Sequence, residues 1–162
     1  MSRLHSIART TRRAWLAGIA VMVLAPSTMV AYAAPATLQV WKDPNCGCCK
    51  DWIAHLEKSE FAATVIEQGN SAARARLGMP QKFGSCHTAL IQGYVIEGHV
   101  PAADIQRLLK EKPKALGLAV PGMPIGSPGM DGPAYDNRRD AYQVLLIQRD
   151  GSTTVFNTYP RG

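Results

Sequence analysis

Beyond its first 33 residues, this 162-residue sequence has no stripe of lysine and arginine with aromatics between them, which excludes a nucleic-acid partner. The formal net charge of +6 comes largely from four early arginines, Arg3, Arg9, Arg12 and Arg13, in a start that holds no acid. Without them, 14 lysines and arginines stand against 12 acids, a net of +2. An apolar run of membrane-spanning length is also missing. The stretch Trp15 to Ala25 is too short for an ordinary span, so no stable membrane segment is expected after processing. No cysteine lies near Ala33, and a bacterial lipid anchor is therefore not indicated.

What the start does contain is a basic segment, a short apolar run and the small-x-small triplet Ala31-Tyr32-Ala33. That is the pattern of a secretory signal peptide over residues 1–33, cut after Ala33. Thr11-Arg12-Arg13-Ala14-Trp15-Leu16 also resembles the twin-arginine export signal, a route that carries folded proteins. The expected location is periplasmic. The remaining 129 residues, 34–162, form one expected domain, long enough for a real core.

Thr37 to Lys42 alternates and reads as a strand, followed by the turn Asp43-Pro44-Asn45. A helix is predicted over Cys48–Ser59, with Cys49, Trp52, Ile53 and Leu56 on one face. Ala62 to Gln68 reads as a second strand, and Asn70 or Ser71 as the cap of a short helix to Leu77. His87–Ile91 and Tyr94–Glu97 form a hairpin around Gln92-Gly93. A helix starts at Pro101, repeats its apolar face at Ile105, Leu108 and Leu109, and ends before Pro113. Strand, helix, strand, helix, strand, strand, helix is the thioredoxin order: an α/β fold with a mixed sheet flanked by helices. Gly117 to Pro133, with five glycines and four prolines in 17 residues, reads as a long loop carrying Met123 and Met130. Tyr142–Gln148 and Thr153–Tyr159 close the chain as a hairpin around an Asp-Gly turn.

The chemistry concentrates in four cysteines. Cys46 and Cys49 have the C-x-x-C spacing of a thiol redox pair, and they sit where a helix begins. Free N–H groups and the helix dipole favour thiolates there. Cys48 adds a third sulfur within one turn, and adjacent cysteines pair with each other only under severe strain. Three crowded thiolates repel one another unless a cation lies between them. Soft Cu(I) suits thiolate ligands best, and zinc is also compatible. Cys86 precedes the third strand, where the thioredoxin fold normally carries a proline against the dithiol. Residues 82–87 contain no proline, so a sulfur stands there instead.

Two disulfides, Cys46–Cys49 and Cys48–Cys86, are the structural alternative, since exported proteins favour them. His99, in the loop before the second main helix, can lie near the first helix's N-terminus. His87 is expected in the core or behind the ligands, and His55 on the surface. Met123 and Met130 are loop hydrophobes or soft copper ligands on a flexible arm.

Cys46-Gly47-Cys48-Cys49, Ser85-Cys86-His87-Thr88-Ala89, residues 93–101 (GYVIEGHVP) and residues 117–124 (GLAVPGMP) occur in this order. Together they resemble the CopG group of periplasmic copper-handling proteins, across nearly all of residues 38–159. That resemblance implies a thioredoxin-like fold and a role in copper tolerance. It implies copper bound by cysteine clusters, and interconversion of Cu(I) and Cu(II). Cys46, Cys48, Cys49 and Cys86 become the core ligands, His99 a further ligand, and Met123 and Met130 candidates. Cys46 and Cys49 are the candidate redox pair. A copper exporter or periplasmic copper carrier is the implied partner. The rival readings are a thiol–disulfide oxidoreductase of exported proteins, a redox-inactive copper carrier, and a closed structural zinc site.

Overall fold

Alternating apolar residues build both faces of a seven-stranded mixed sheet in the computed structural model, which describes residues 34–162. The expected signal peptide, its cut after Ala33 and the twin-arginine motif lie outside the described residues. In chain order the elements are β1 (Ala36–Lys42), α1 (Gly47–Glu57), β2 (Phe61–Ile66), α2 (Ser71–Arg76), β3 (His87–Ile91) and β4 (Tyr94–Glu97). Then come α3 (Ala102–Glu111), β5 (Gly117–Ala119), β6 (Tyr142–Ile147) and β7 (Thr153–Tyr159). The strands lie side by side as β2-β1-β3-β4-β5-β6-β7. β1 runs parallel to β2 and antiparallel to β3, and β3 runs antiparallel to β4. This is the thioredoxin-like sheet that the element order predicts.

The two-residue period of the strands sorts side chains between two cores. Leu38, Val40, Ala89, Ile91, Ile96 and Leu118 join Trp52, Ile53 and Leu56 of α1 and Ile105 and Leu108 of α3 on one face. Each buried leucine, isoleucine or valine among them stabilises the layer by about 1.5–3 kcal/mol. Val95, Ala119 and Ile147 meet Met79 and Phe83, from the segment after α2, on the other face. Thus α1 and α3 share one side of the sheet.

Three sequence expectations change. Gly117–Ala119 is not loop but β5, parallel to β4 and antiparallel to β6. It is buried on both faces, so it has no alternation to read. A Cβ at Gly117 would sit 1.8 Å from the Val95 carbonyl oxygen, so only glycine fits that register. Asn70 occupies the position before α2, but its side chain makes no cap bond. Its amide instead donates to the Ser85 carbonyl at 3.1 Å and the Thr88 hydroxyl at 3.2 Å. Finally, His55 is half-buried rather than on the surface. Its Nε2 accepts the Ala102 N–H at 3.1 Å, because α1 and α3 pack side by side.

The terminal hairpin extends the sheet through β5, and Asp104 of α3 clamps it. That carboxylate accepts from the Asn157 amide at 2.9 Å and the Tyr159 hydroxyl at 2.7 Å. Among the described residues, no helix is long and apolar enough to cross a membrane.

Candidate metal centre

The turn from β1 into α1 delivers three sulfurs to one place. Cys46 sits in extended backbone immediately before α1, and no acidic side chain occupies the first helical turn. The helix start therefore presents free N–H groups and a positive dipole end to the sulfurs. Cys49 faces the core with no exposure, while Cys46, Cys48 and Cys86 are half-buried. The ligand atoms of all four cysteines lie within 4.8 Å of one another. Cys46 and Cys49 are joined as a disulfide, and Cys48 and Cys86 are free thiols. The Cys48 sulfur is 3.6 Å from that of Cys46 and 3.9 Å from that of Cys86. Of the two-disulfide alternative, only the Cys46–Cys49 half is present.

Cys86 is held by a buried ion pair that the sequence reading did not find. Glu97, fully buried, accepts from Arg74 Nε at 2.9 Å, the Ser85 backbone N–H at 2.7 Å and the Thr88 hydroxyl at 2.6 Å. Arg74 and Asn70 both donate to the Ser85 carbonyl. The residue before Cys86 is thus fixed at its N–H and its C=O. Burial pushes the Glu97 carboxyl upward, against the donors Thr88, Ser85 and Arg74. A lone acid at the end of the apolar strand Tyr94–Glu97 was the one sequence signal for this network.

His99 reaches the sulfurs from the loop between β4 and α3. Trp52 pins that loop by donating its indole N–H to the Val100 carbonyl at 2.9 Å. His99 Nδ1 lies 2.7 Å from the Pro128 carbonyl, which can only accept, so Nδ1 carries the proton. Nε2 then turns its lone pair toward the Cys86 sulfur, 3.0 Å away, and accepts a hydrogen bond from the thiol. Burial, with the nearby Cys48 thiol, pushes Cys86 up to about 12. Burial also lowers His99, with the Pro128 carbonyl and Asp131 opposing. Without metal the pair is a neutral thiol and a neutral imidazole, the form of histidine that binds metals.

His87 also belongs here. It is fully buried, its Nδ1 is 3.4 Å from the Cys86 sulfur, and its ring lies 4.1 Å from that of Trp52 and 5.0 Å from that of His99. Its position at the start of β3, on the face shared with α1, brings it there.

The Gly/Pro/Met-rich loop folds over the start of α1. At Gly129, with φ +84°, a Cβ would lie 2.5 Å from the Cys48 carbonyl oxygen. Met123, half exposed, lines an open groove of about 340 Å³ together with Ser85, Cys86 and Arg74. The Met130 sulfur accepts a hydrogen bond from the Tyr135 hydroxyl at 3.3 Å. The fold therefore gathers the four cysteines and His99, places Met123 on a rim above Cys86, and engages Met130 with Tyr135.

A family model described as a protein of unknown function, DUF411, matches residues 83–130, the segment that holds Cys86, His87, His99, Met123 and Met130. Two solved structures are similar over most of the chain. One, called copper resistance protein CopG form 1, is 50% identical over 78% of this chain and 98% of that one, with a TM-score of 0.72. The other, form 2, is 51% identical over 78% of this chain and 99% of that one, with the same TM-score. No curated protein sequence matches.

Proposed function

This chain belongs to the CopG family of copper resistance proteins, and on that premise we propose that it is a periplasmic copper-binding protein that captures Cu(I) through Cys46, Cys48, Cys49 and Cys86. The observation that carries the reading is the convergence of four sulfurs within 4.8 Å at one helix start. Thiolates are soft donors and match soft Cu(I). Four of them at this spacing have room to bridge more than one ion. His99 supplies a nitrogen to the edge of the cluster. Met123 and Met130 supply thioethers from the loop, with Met123 on the approach to Cys86. The signal-like residues 1–33 supply export, and copper held in the cluster is kept from unprotected cell components. A copper exporter or a periplasmic carrier receives it.

The Cys46–Cys49 pair adds a redox step. As a dithiol it gives one electron to each of two Cu(II) ions, forming the disulfide, two Cu(I) and two protons. Cys48 and Cys86 keep their thiols through that step and retain Cu(I).

The thiol–disulfide oxidoreductase reading draws on the same disulfide at a helix start. It gives no role to the Cys86 thiol or to His99 beside it. A growth assay separates the readings. Cells producing the protein should tolerate more copper, and the Cys48→Ser/Cys86→Ser double variant should lose that tolerance. Unchanged tolerance, with insulin reduction retained by the double variant, would favour the oxidoreductase.

A further inference from the structure

We propose that Lys42 sets the charge at the sulfur cluster: its buried ammonium holds the turn that carries Cys46 and favours thiolates over the disulfide at Cys46 and Cys49. The inference rests on the copper reading above, in which those thiolates are the ligands, and names the residue that keeps them available.

Lys42 is the last residue of β1, and its side chain is 1% exposed. The alternation that puts Leu38 and Val40 under α1 puts Lys42 on the same face, where the strand turns toward the helix. In the pairing of β1 with β3 it lies opposite His87, the neighbour of Cys86. Its Nζ donates to the Asp43 carbonyl at 2.8 Å and to Glu67 Oε1 at 3.0 Å. The same Asp43 carbonyl accepts the Cys46 N–H at 3.1 Å. One oxygen atom therefore joins the ammonium to the backbone of the first cysteine.

A lysine is almost never fully buried unless it is paired. The pair here is lopsided. The Glu67 side chain is 52% exposed, so water screens its charge far more than that of Lys42. What remains is an excess of positive charge inside the protein, beside the turn that carries the sulfurs. Packing alone does not call for that charge, since an apolar side chain of similar volume fills such a site with little loss of stability. The use lies in the reduced cluster. Four thiolates carry four negative charges, and any cluster of fewer than four Cu(I) ions stays net negative. A fixed cation stabilises that state and not the uncharged disulfide.

The redox step gives the sign. Reduction by glutathione breaks the Cys46–Cys49 bond, places two electrons on the two sulfurs and releases glutathione disulfide. The helix start favours thiolate in the reduced pair, and the ammonium attracts that charge. Lys42 therefore raises the reduction potential of the pair and keeps it open in an oxidising compartment.

The test measures that potential on the metal-free Cys48→Ser/Cys86→Ser protein, in which Cys46 and Cys49 are the only cysteines. The protein is equilibrated with glutathione at mildly alkaline pH. Lys42→Met keeps an apolar stem and removes the charge. It should shift the equilibrium at least about tenfold toward the disulfide, which lowers the potential by about 30 mV. Glu67→Gln removes the opposing charge and leaves the ammonium in place. It should shift the equilibrium about threefold the other way, the smaller effect of a half-exposed group. A purely structural bracket would loosen the turn in both variants and move both potentials in one direction. Shifts of the same sign, or no shift in either variant, would overturn the proposal. Should Lys42→Met not fold, Glu67→Gln decides: a raised potential supports the charge, and an unchanged or lowered one removes it. Cu(I) titration of the wild-type protein separates this from the copper reading. Cu(I) retained with unmoved potentials removes the role of Lys42 alone; opposite shifts without retained Cu(I) keep that role and remove the copper reading.

Discussion

Glu97 is a surface type of residue in a core position, and its partners show why it stays. It holds Arg74 and the Ser85 N–H at once, and Cys86 follows directly. Removing one partner of a buried ion pair leaves the other charge unpaired, at a cost of about 3–5 kcal/mol. Glu97→Gln should lower stability by that amount in urea unfolding and loosen copper at Cys86. A loss under about 1 kcal/mol would mean water already compensates Arg74. Cys86 carries a second residue-scale prediction. With its pKa pushed up to about 12, the thiol is protonated at neutral pH, so binding a cation there releases a proton. The sign follows: copper affinity rises with pH, and Cys86 alone contributes about tenfold per unit. Competition against a chelator at two pH values a unit apart checks this, and a flat response would contradict it. At this scale the sequence was half legible. Spacing announces the cysteines because C-x-C-C forces proximity along the chain. His87, Arg74 and Glu97 take their roles from neighbours 11 to 23 residues away or on another element, which spacing does not encode.

Among the elements, β5 and the loop after it decide how the site is enclosed. Gly117 lets β5 approach β4, and a methyl group there would overlap the Val95 backbone. Gly117→Ala should cost about 3 kcal/mol or more by overpacking, read as a lower melting temperature. Gly129 does the corresponding work where the loop meets α1. Gly129→Ala would bring a methyl within 2.7 Å of the Trp52 backbone nitrogen at a positive φ. It should displace the Pro128 carbonyl from His99 and speed copper loss to a chelator. Met123 is the contrast. It is half exposed, so Met123→Ala should change stability by no more than about 0.5 kcal/mol. A slower copper uptake in that variant would then report its thioether and not the fold. The strands and helices up to α3 were readable because periodicity, Pro101 and the Gln92-Gly93 turn each mark a boundary. β5 was not, since three residues buried on both faces show no pattern until β4 and β6 flank them.

The whole molecule places one reactive edge at the meeting point of two loops, one helix start and one strand start. Cys46, Cys48 and Cys49 come from the β1–α1 turn, Cys86 from the entry to β3, and His99 from the β4–α3 loop. The sheet and its two helix layers hold these pieces in register, and the terminal hairpin locks α3 through Asp104. Export is the whole-chain expectation that follows from residues 1–33. Mass spectrometry of the protein from the periplasm should give a chain beginning at Ala34, and an uncut chain in the cytoplasm would contradict it. The claim on which the rest depends is that the four gathered sulfurs bind copper. The direct measurement is anaerobic titration of the reduced protein with Cu(I), counting bound metal and free thiols after desalting. More than one copper per chain, lost in Cys46→Ser and Cys86→Ser, is the predicted result. No retained copper, with a Cys46–Cys49 disulfide that cycles freely, would contradict it.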